Sequence, residues 1–293
     1  MPLTRRTFLL AAATVPFGHV RAAPKRDALR VAERSIADLE RKAGGRLGVF
    51  VRDSGTGAAL AHRARERFPL CSTFKVLAAA AVLKQVDDGK ATLDQAIAYG
   101  QADLLDYAPE TKKHVAEGHM SLGDLCAAAI QWSDNTAGNL ILKQIGGPAG
   151  FTHYARSIGD KITRLDRTEP TLNTAIPGDP RDTTTPEAIV RTLQTVLAKG
   201  ALSATSARQL EDWMIGDKVG NARLRAGLPQ DWRIGDKTGS GDNGTANTVA
   251  IIRPPNRAPL FAAVYYTGST APMKDRDAVH AGVARIIAET FVA

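Results

Sequence analysis

The stretch CSTFKVLAAAAVLKQVD, residues 71–87, is rich in alanine and apolar nearly all the way round. A helix with no solvent face belongs at the centre of a fold, with other elements packed on every side. Upstream, Leu29, Ala32, Ile36, Leu39 and Ala43 mark one face of a helix over 27–43, stopped by Gly44-Gly45. Leu47–Val51 reads as a strand, Asp53-Ser54-Gly55-Thr56-Gly57 as a turn, and Ala58–His62 as the returning strand. Downstream the pattern stays helical. Ser121-Leu122-Gly123-Asp124 has the form of a capping box opening a helix to about Gln131. A second helix spans Thr136–Ile145 and closes at Gly146-Gly147. Thr185-Pro186-Glu187 opens a third, which runs to Gly200. Strand character returns at Trp232–Lys237, Thr245–Ile252 and Pro259–Thr267. A final amphipathic helix follows, with Val279, Val283, Ile286 and Ile287 on one face. The short links between these late strands predict an antiparallel meander. The sheet therefore draws on both ends of the chain, and the helical middle is an insertion.

At 293 residues the chain can bury a large core and form one or two domains. Apolar residues at 44% and charged residues at 23% describe an ordinary globular protein. Residues 1–22 read as an export signal: Arg5-Arg6 precede the short apolar run Phe8–Val15, and cleavage is expected after Ala22. Thr4-Arg5-Arg6-Thr7-Phe8-Leu9 has the twin-arginine form, with the ordinary secretory route as the alternative. A periplasmic or secreted protein is expected, with no membrane attachment once the signal is removed. Loss of Arg5, Arg6 and Arg21 lowers the basic count from 38 to 35 against 30 acids, or +5. No basic block carries interleaved aromatics, and aromatics make up 5%, so nucleic acid is not an expected partner. His114 and His119 are five apart, which suits no short metal clip, and neither metal nor cofactor is expected.

Four short motifs carry chemistry. Ser72 and Lys75, in Ser72-Thr73-Phe74-Lys75, are three apart and share a helix face, so the amine can reach the hydroxyl. A serine needs such a neighbour, because it is a poor nucleophile until a base takes its proton. Its place at a helix start also favours developing negative charge. Ser133-Asp134-Asn135 offers a hydroxyl that can relay a proton and an amide that can bind a carbonyl. Glu169 and Asn173, in Glu-Pro-Thr-Leu-Asn, pair a carboxylate with an amide, the means to hold and activate one water. Lys237-Thr238-Gly239 ends a strand, offering donors to an anion and a glycine that lets a ligand approach the backbone.

On these motifs, in this order and spacing, the chain resembles the class A serine β-lactamases over about residues 25–293. The resemblance implies a two-domain α/β architecture, the serine β-lactamase/D,D-peptidase fold. A five-stranded antiparallel sheet with flanking helices would come from 23–63 and 214–293, and an inserted all-α domain from 64–213. It implies hydrolysis of the β-lactam amide of penicillins and cephalosporins through an ester on Ser72, and so antibiotic resistance, by a monomer. Lys75, Ser133, Glu169 and Asn173 would be catalytic, with the first base open between Lys75 and Glu169. Tyr107, Asn135, Lys237, Thr238, Gly239 and Ser240 would bind substrate. Arg167 and Asp182 would close the loop carrying Glu169. Arg223 would meet the substrate carboxylate, since the usual arginine position on the next strand is Ala246; Arg276 falls one residue off another substitute position. Cys71, Pro170, Ser240, Gly241 and Asp242 resemble the cefotaximase branch, implying activity on oxyimino cephalosporins. Members that bridge a cysteine beside the nucleophile use a partner where this chain has Gly241, so Cys71 and Cys126 are expected as free thiols and strong carbapenem hydrolysis is not. A penicillin-binding D,D-peptidase shares the serine and both lysines but lacks a counterpart of Glu169, and a non-turnover β-lactam sensor is the third alternative.

Overall fold

The computed structural model describes Pro24 and residues 26–291; the expected export signal lies outside them. Helix α1 (Arg26–Ala43) leads into β1 (Arg46–Asp53) and β2 (Ala59–His62), followed by the short β3 (Phe68–Pro69). A 3-10 turn, Cys71–Thr73, runs into α2 (Phe74–Asp87), so Ser72 sits in one tight turn ahead of the α-helix expected there. Next come β4 (Ala96–Ala98), β5 (His119–Ser121), α3 (Leu122–Gln131), α4 (Asn135–Gln144) and α5 (Gly147–Ser157). Then follow β6 (Thr183–Thr184), α6 (Pro186–Ala198) and α7 (Ala204–Ile215). Strands β7 (Arg233–Gly241), β8 (Thr245–Arg253) and β9 (Leu260–Thr267) precede α8 (Met273–Phe291).

The main sheet is wholly antiparallel in the order β2-β1-β9-β8-β7, so strands from both ends of the chain do pair, through β1 and β9. Its alternation sorts side chains between two cores. Ala250, Ile252, Ala262 and Val264 pack with Ile36 of α1 and Val283 and Ile287 of α8. Val249, Ile251, Phe261 and Ala263 face the helical body, where α2 lies. Both sheet faces are covered, which is why β9 and the second half of β8, Val249–Ile252, read as apolar runs rather than alternating ones. In α2, ten consecutive residues from Phe74 to Leu83 are buried, as its sequence requires. Two helices, α5 and α7, were not anticipated. Gly146-Gly147 does end α4, but Gly146 at φ 88° also caps α5, with Pro148 in its first turn.

Both cysteines are free and buried. Among the described residues no helix is long and apolar enough to cross a membrane. Among them, too, no cluster of His, Cys, Asp and Glu is arranged to hold a metal.

Candidate active site

Four segments converge on Ser72. The turn that bears it is held by Thr73, whose hydroxyl donates to the Leu70 carbonyl at 2.7 Å, and by Asn247 of β8, whose Nδ2 donates to the Pro69 carbonyl at 2.8 Å. Cys71, just before Ser72, sits at φ 44°, and Ser133 across the site at φ 58°. Non-glycine residues in this left-handed region store strain and concentrate at functional sites.

Ser72 Oγ lies 3.0 Å from Lys75 Nζ and 3.0 Å from Glu169 Oε1. The amine and that carboxylate oxygen are themselves 3.0 Å apart, and both side chains are shut off from solvent. Lys75 Nζ also donates to the Ser133 carbonyl at 2.8 Å and to Asn135 Oδ1 at 2.7 Å. Burial pushes the Lys75 ammonium below its ordinary range, and the charge of Glu169 opposes that push. Gly138 on α4 makes room for this lysine: a Cβ there would come within 2.7 Å of Lys75 Cε. Asn173, in a 3-10 turn over Thr171–Thr174, donates from Nδ2 to Glu169 Oε2, while its own Oδ1 is buried without a partner.

The loop holding Glu169 is closed at its base. Arg167 Nε meets Asp182 Oδ2 at 2.6 Å, and Asp182 Oδ1 accepts from the backbone N–H of Asp166 and Arg167 at 2.7 and 2.9 Å. Asn139, four residues after Asn135 on the same face of α4, clasps Glu169 from both sides. Its Nδ2 donates to the Glu169 carbonyl and its Oδ1 accepts from the Glu169 N–H, each at 2.9 Å. Sequence reasoning missed Asn139, although its i+4 spacing from Asn135 was there to be read.

Outside this buried cluster lies a cleft of about 380 Å³, into which Ser72, Asn135, Asn173, Thr238 and Ser240 open. Tyr107, 49% exposed, stands at its rim, and its carbonyl accepts from the Asn135 N–H at 2.9 Å. Lys237 is buried behind the cleft wall and donates to the Thr238 carbonyl at 2.8 Å. Burial pushes its pKa down to about 7, against the charge of Asp217. Asp134 does structural work, capping α4 through Ala137 N at 2.8 Å and binding the N–H groups of Glu110 and Thr111 at 2.9 Å.

The model of the β-lactamase enzyme family matches residues 31–291. The chain belongs to that family. β-Lactamase Toho-1 of Escherichia coli is 47% identical over 287 residues, 98% of each chain. β-Lactamase CTX-M-8 of Citrobacter amalonaticus is 47% identical over 259 residues, 88% of this chain and 89% of the other. Among solved structures, an ancestral class A β-lactamase superposes with a TM-score of 0.88 at 56% identity, covering 89% of this chain and 100% of that one. This protein is thus a class A β-lactamase of the cefotaximase-like branch, a hydrolase of β-lactams.

In this β-lactamase Arg223, the expected partner of the substrate carboxylate, is held on several sides by the protein. Its Nε pairs with Asp277 at 2.8 Å, and Nη1 donates to the carbonyls of Gly239 and Asn247 at 2.9 and 2.7 Å. Only Nη2 turns toward the cleft, donating to Ser240 Oγ at 2.8 Å. The guanidinium thus braces the end of β7. Asp277 has no signal in the sequence, because its partner is 54 residues away.

Proposed function

We propose that the enzyme opens penicillins and cephalosporins through an acyl-enzyme on Ser72, and that Glu169 drives both halves of the cycle. One observation carries this: Ser72 Oγ lies at the cleft 3.0 Å from both Lys75 Nζ and Glu169 Oε1, whose side chains are fully buried. The carboxylate 3.0 Å away opposes the loss of charge that burial imposes on the Lys75 ammonium. Lys75 then donates to Ser72 Oγ, and Ser72 donates to Glu169. In acylation the serine proton passes to Glu169, the Oγ–carbonyl carbon bond forms and the lactam C–N bond breaks. Ser133 delivers a proton to the departing nitrogen and regains one from Glu169 by way of Lys75, which lies between them, so that Glu169 is a carboxylate again before deacylation. In deacylation a water held by Glu169 and Asn173 gives its proton to the carboxylate and attacks the ester carbon, and Ser72 leaves with a proton restored. Backbone N–H groups of Ser72 and Ser240 stabilise the oxyanion, donors typically worth about 3–4 kcal/mol. Asn135 takes the substrate amide. Lys237, Thr238 and Arg223 take its carboxylate, Gly239 admits it close to β7, and Tyr107 borders it.

The Glu169–Asn173 pair favours turnover over the D,D-peptidase or sensor reading, since neither rival needs a carboxylate fixed beside the serine. We extend the substrate range to oxyimino cephalosporins, with weak carbapenem hydrolysis. We take residues 64–213 as the helical wall of the cleft, and the working form as a monomer exported by residues 1–22.

Glu169→Ala tests the reading. Without its counter-ion the buried Lys75 loses its proton more readily and becomes a substitute base. Acylation by penicillin should persist while deacylation falls by about 10²–10⁴-fold. Intact-protein mass spectrometry should show the penicilloyl adduct accumulating; rapid turnover by this variant would refute the assignment.

A further inference from the structure

Behind Lys237, on the opposite face of β7, two buried carboxyl groups turn an unpartnered oxygen to the same point. Asp236 is 0% exposed and Asp217, in the link after α7, 4%. Each has one oxygen satisfied: Asp236 Oδ1 accepts from Arg225 Nε at 2.6 Å, and Asp217 Oδ1 from the Val219 N–H at 2.7 Å. Each leaves Oδ2 buried without a hydrogen-bond partner. The two Oδ2 atoms flank Gly220: a Cβ there would stand 2.7 Å from Asp217 Oδ2 and collide with Asp236 Oδ2. Only a residue with no side chain leaves the two oxygens facing each other.

We propose that Asp217 and Asp236 share a single proton in an O–H···O⁻ bridge, and that this pair fixes the charge of Lys237 and hence the pH range over which the cleft holds an anionic substrate. Two ionised carboxylates buried on either side of Gly220 repel strongly, and a proton between the orphaned oxygens satisfies both at once. Of the pair's one net negative charge, the share on Asp236 is met by Arg225. The share on Asp217 is the stronger support for Lys237, whose other charged neighbours are Lys75, Asp236 and Arg223. Burial, then Asp217, pushes the Asp236 carboxyl well above the carboxylate range, as a proton-holding partner requires. The pair touches no substrate and acts through Lys237, so these are positioning residues. The inference rests on Lys237 binding the substrate carboxylate.

Two asparagine variants separate the partners without changing shape. Asp236→Asn confines the negative charge to Asp217, beside Lys237, and should move the alkaline rise in KM for benzylpenicillin to higher pH. Asp217→Asn confines it to Asp236, already met by Arg225, and should move that rise to lower pH. Above the rise, KM changes about tenfold for each pH unit of displacement, with kcat below it unchanged. Shifts of equal sign in the two variants, or none, would overturn the proposal. Infrared spectroscopy of the wild-type enzyme supplies a readout independent of either variant's folding. It should show the C=O stretch of a buried protonated carboxyl at neutral pH, and its absence there would overturn the shared proton. If Lys237→Ala leaves KM unchanged, the assignment of Lys237 to the substrate fails instead, and the infrared measurement still decides the bridge.

Discussion

Asn139 and Arg223 show how single side chains set this site from outside the reacting atoms. Asn139 satisfies both backbone groups of Glu169, whose side chain must hold its place within a fraction of an ångström. Asn139→Ala strips a partner from two backbone groups, each at a cost of about 1–3 kcal/mol where buried. We expect a lower melting temperature, deacylation slowed more than tenfold and a detectable acyl-enzyme with penicillin. Wild-type values for both turnover and melting would sink this account. Asn139→Asp, which can accept from the Glu169 N–H but not donate to its carbonyl, should fall between. Arg223 tests differently, because it both braces β7 and holds Ser240 Oγ and Met273 Sδ at the cleft from Nη2. A charge-assisted hydrogen bond to a carboxylate contributes about 1.5–3 kcal/mol, so Arg223→Ala should raise KM for penicillins by about 10- to 100-fold. An unchanged KM would confine the arginine to bracing.

Elements position these residues, and the N-terminus of α4 is where the most positioning passes through one cap. Asp134 accepts from Ala137 N and Thr111 Oγ1 and from the backbone of the 110–111 segment, so it ties the helix bearing Asn135 and Asn139 to the loop beyond Tyr107. Asp134→Ala should cost at least about 3 kcal/mol, the sum of a lost cap and newly unpaired buried groups, read as a fall in melting temperature by calorimetry. A loss under about 1 kcal/mol would show that water replaces the carboxylate. Most of this element scale was legible beforehand. The apolar girth of α2, the caps of α3 and α6, the glycine stop after α4, and the meander of β7, β8 and β9 follow from local pattern and turn chemistry. The gathering of the motif residues was legible only through the resemblance to the family, because no local window brings the four motifs together. What escaped depends on contacts that no local window contains. Strand β3 pairs with β6 and β4 with β5 over two or three residues, pairings that only the assembled fold creates. Helix α5 hid behind a glycine pair that stops one helix and starts the next. The bracing of Arg223 needed Asp277 on α8, and the orphaned oxygens of Asp217 and Asp236 needed Gly220 between them.

Across the whole molecule, the packing of α8 on β8 gives stability a pH dependence that can be isolated. His280 on α8 is fully buried, its Nε2 3.0 Å from the Ala246 carbonyl and its Nδ1 3.1 Å from Thr248 Oγ1. The carbonyl can only accept, so Nε2 carries the proton and Nδ1 accepts from the threonine, which is the neutral ring. Burial, and then the charge of Arg223, lower its pKa to about 3. In the unfolded chain a histidine takes up its proton near pH 6.5. Between those values the unfolded state holds one proton more than the folded state. Stability therefore falls as pH drops, by about 1.4 kcal/mol per pH unit for this group. Asp236 works the other way: its raised pKa lets the folded state keep a proton that the unfolded chain has shed, so its contribution is lost as pH rises. Wild-type stability alone blends the two. A difference separates them, because Asp236 is common to both proteins when His280→Gln is compared with wild type. Glutamine can still donate to Ala246 but does not titrate. At pH 7 the variant should be less stable, by about 1–3 kcal/mol for imperfect packing. Urea unfolding between pH 6 and pH 4 should then show the gap closing by about 1.4 kcal/mol per unit. A gap that stays constant over that range would mean that His280 is charged in the folded protein, and the neutral hydrogen-bond arrangement on β8 would have to be abandoned.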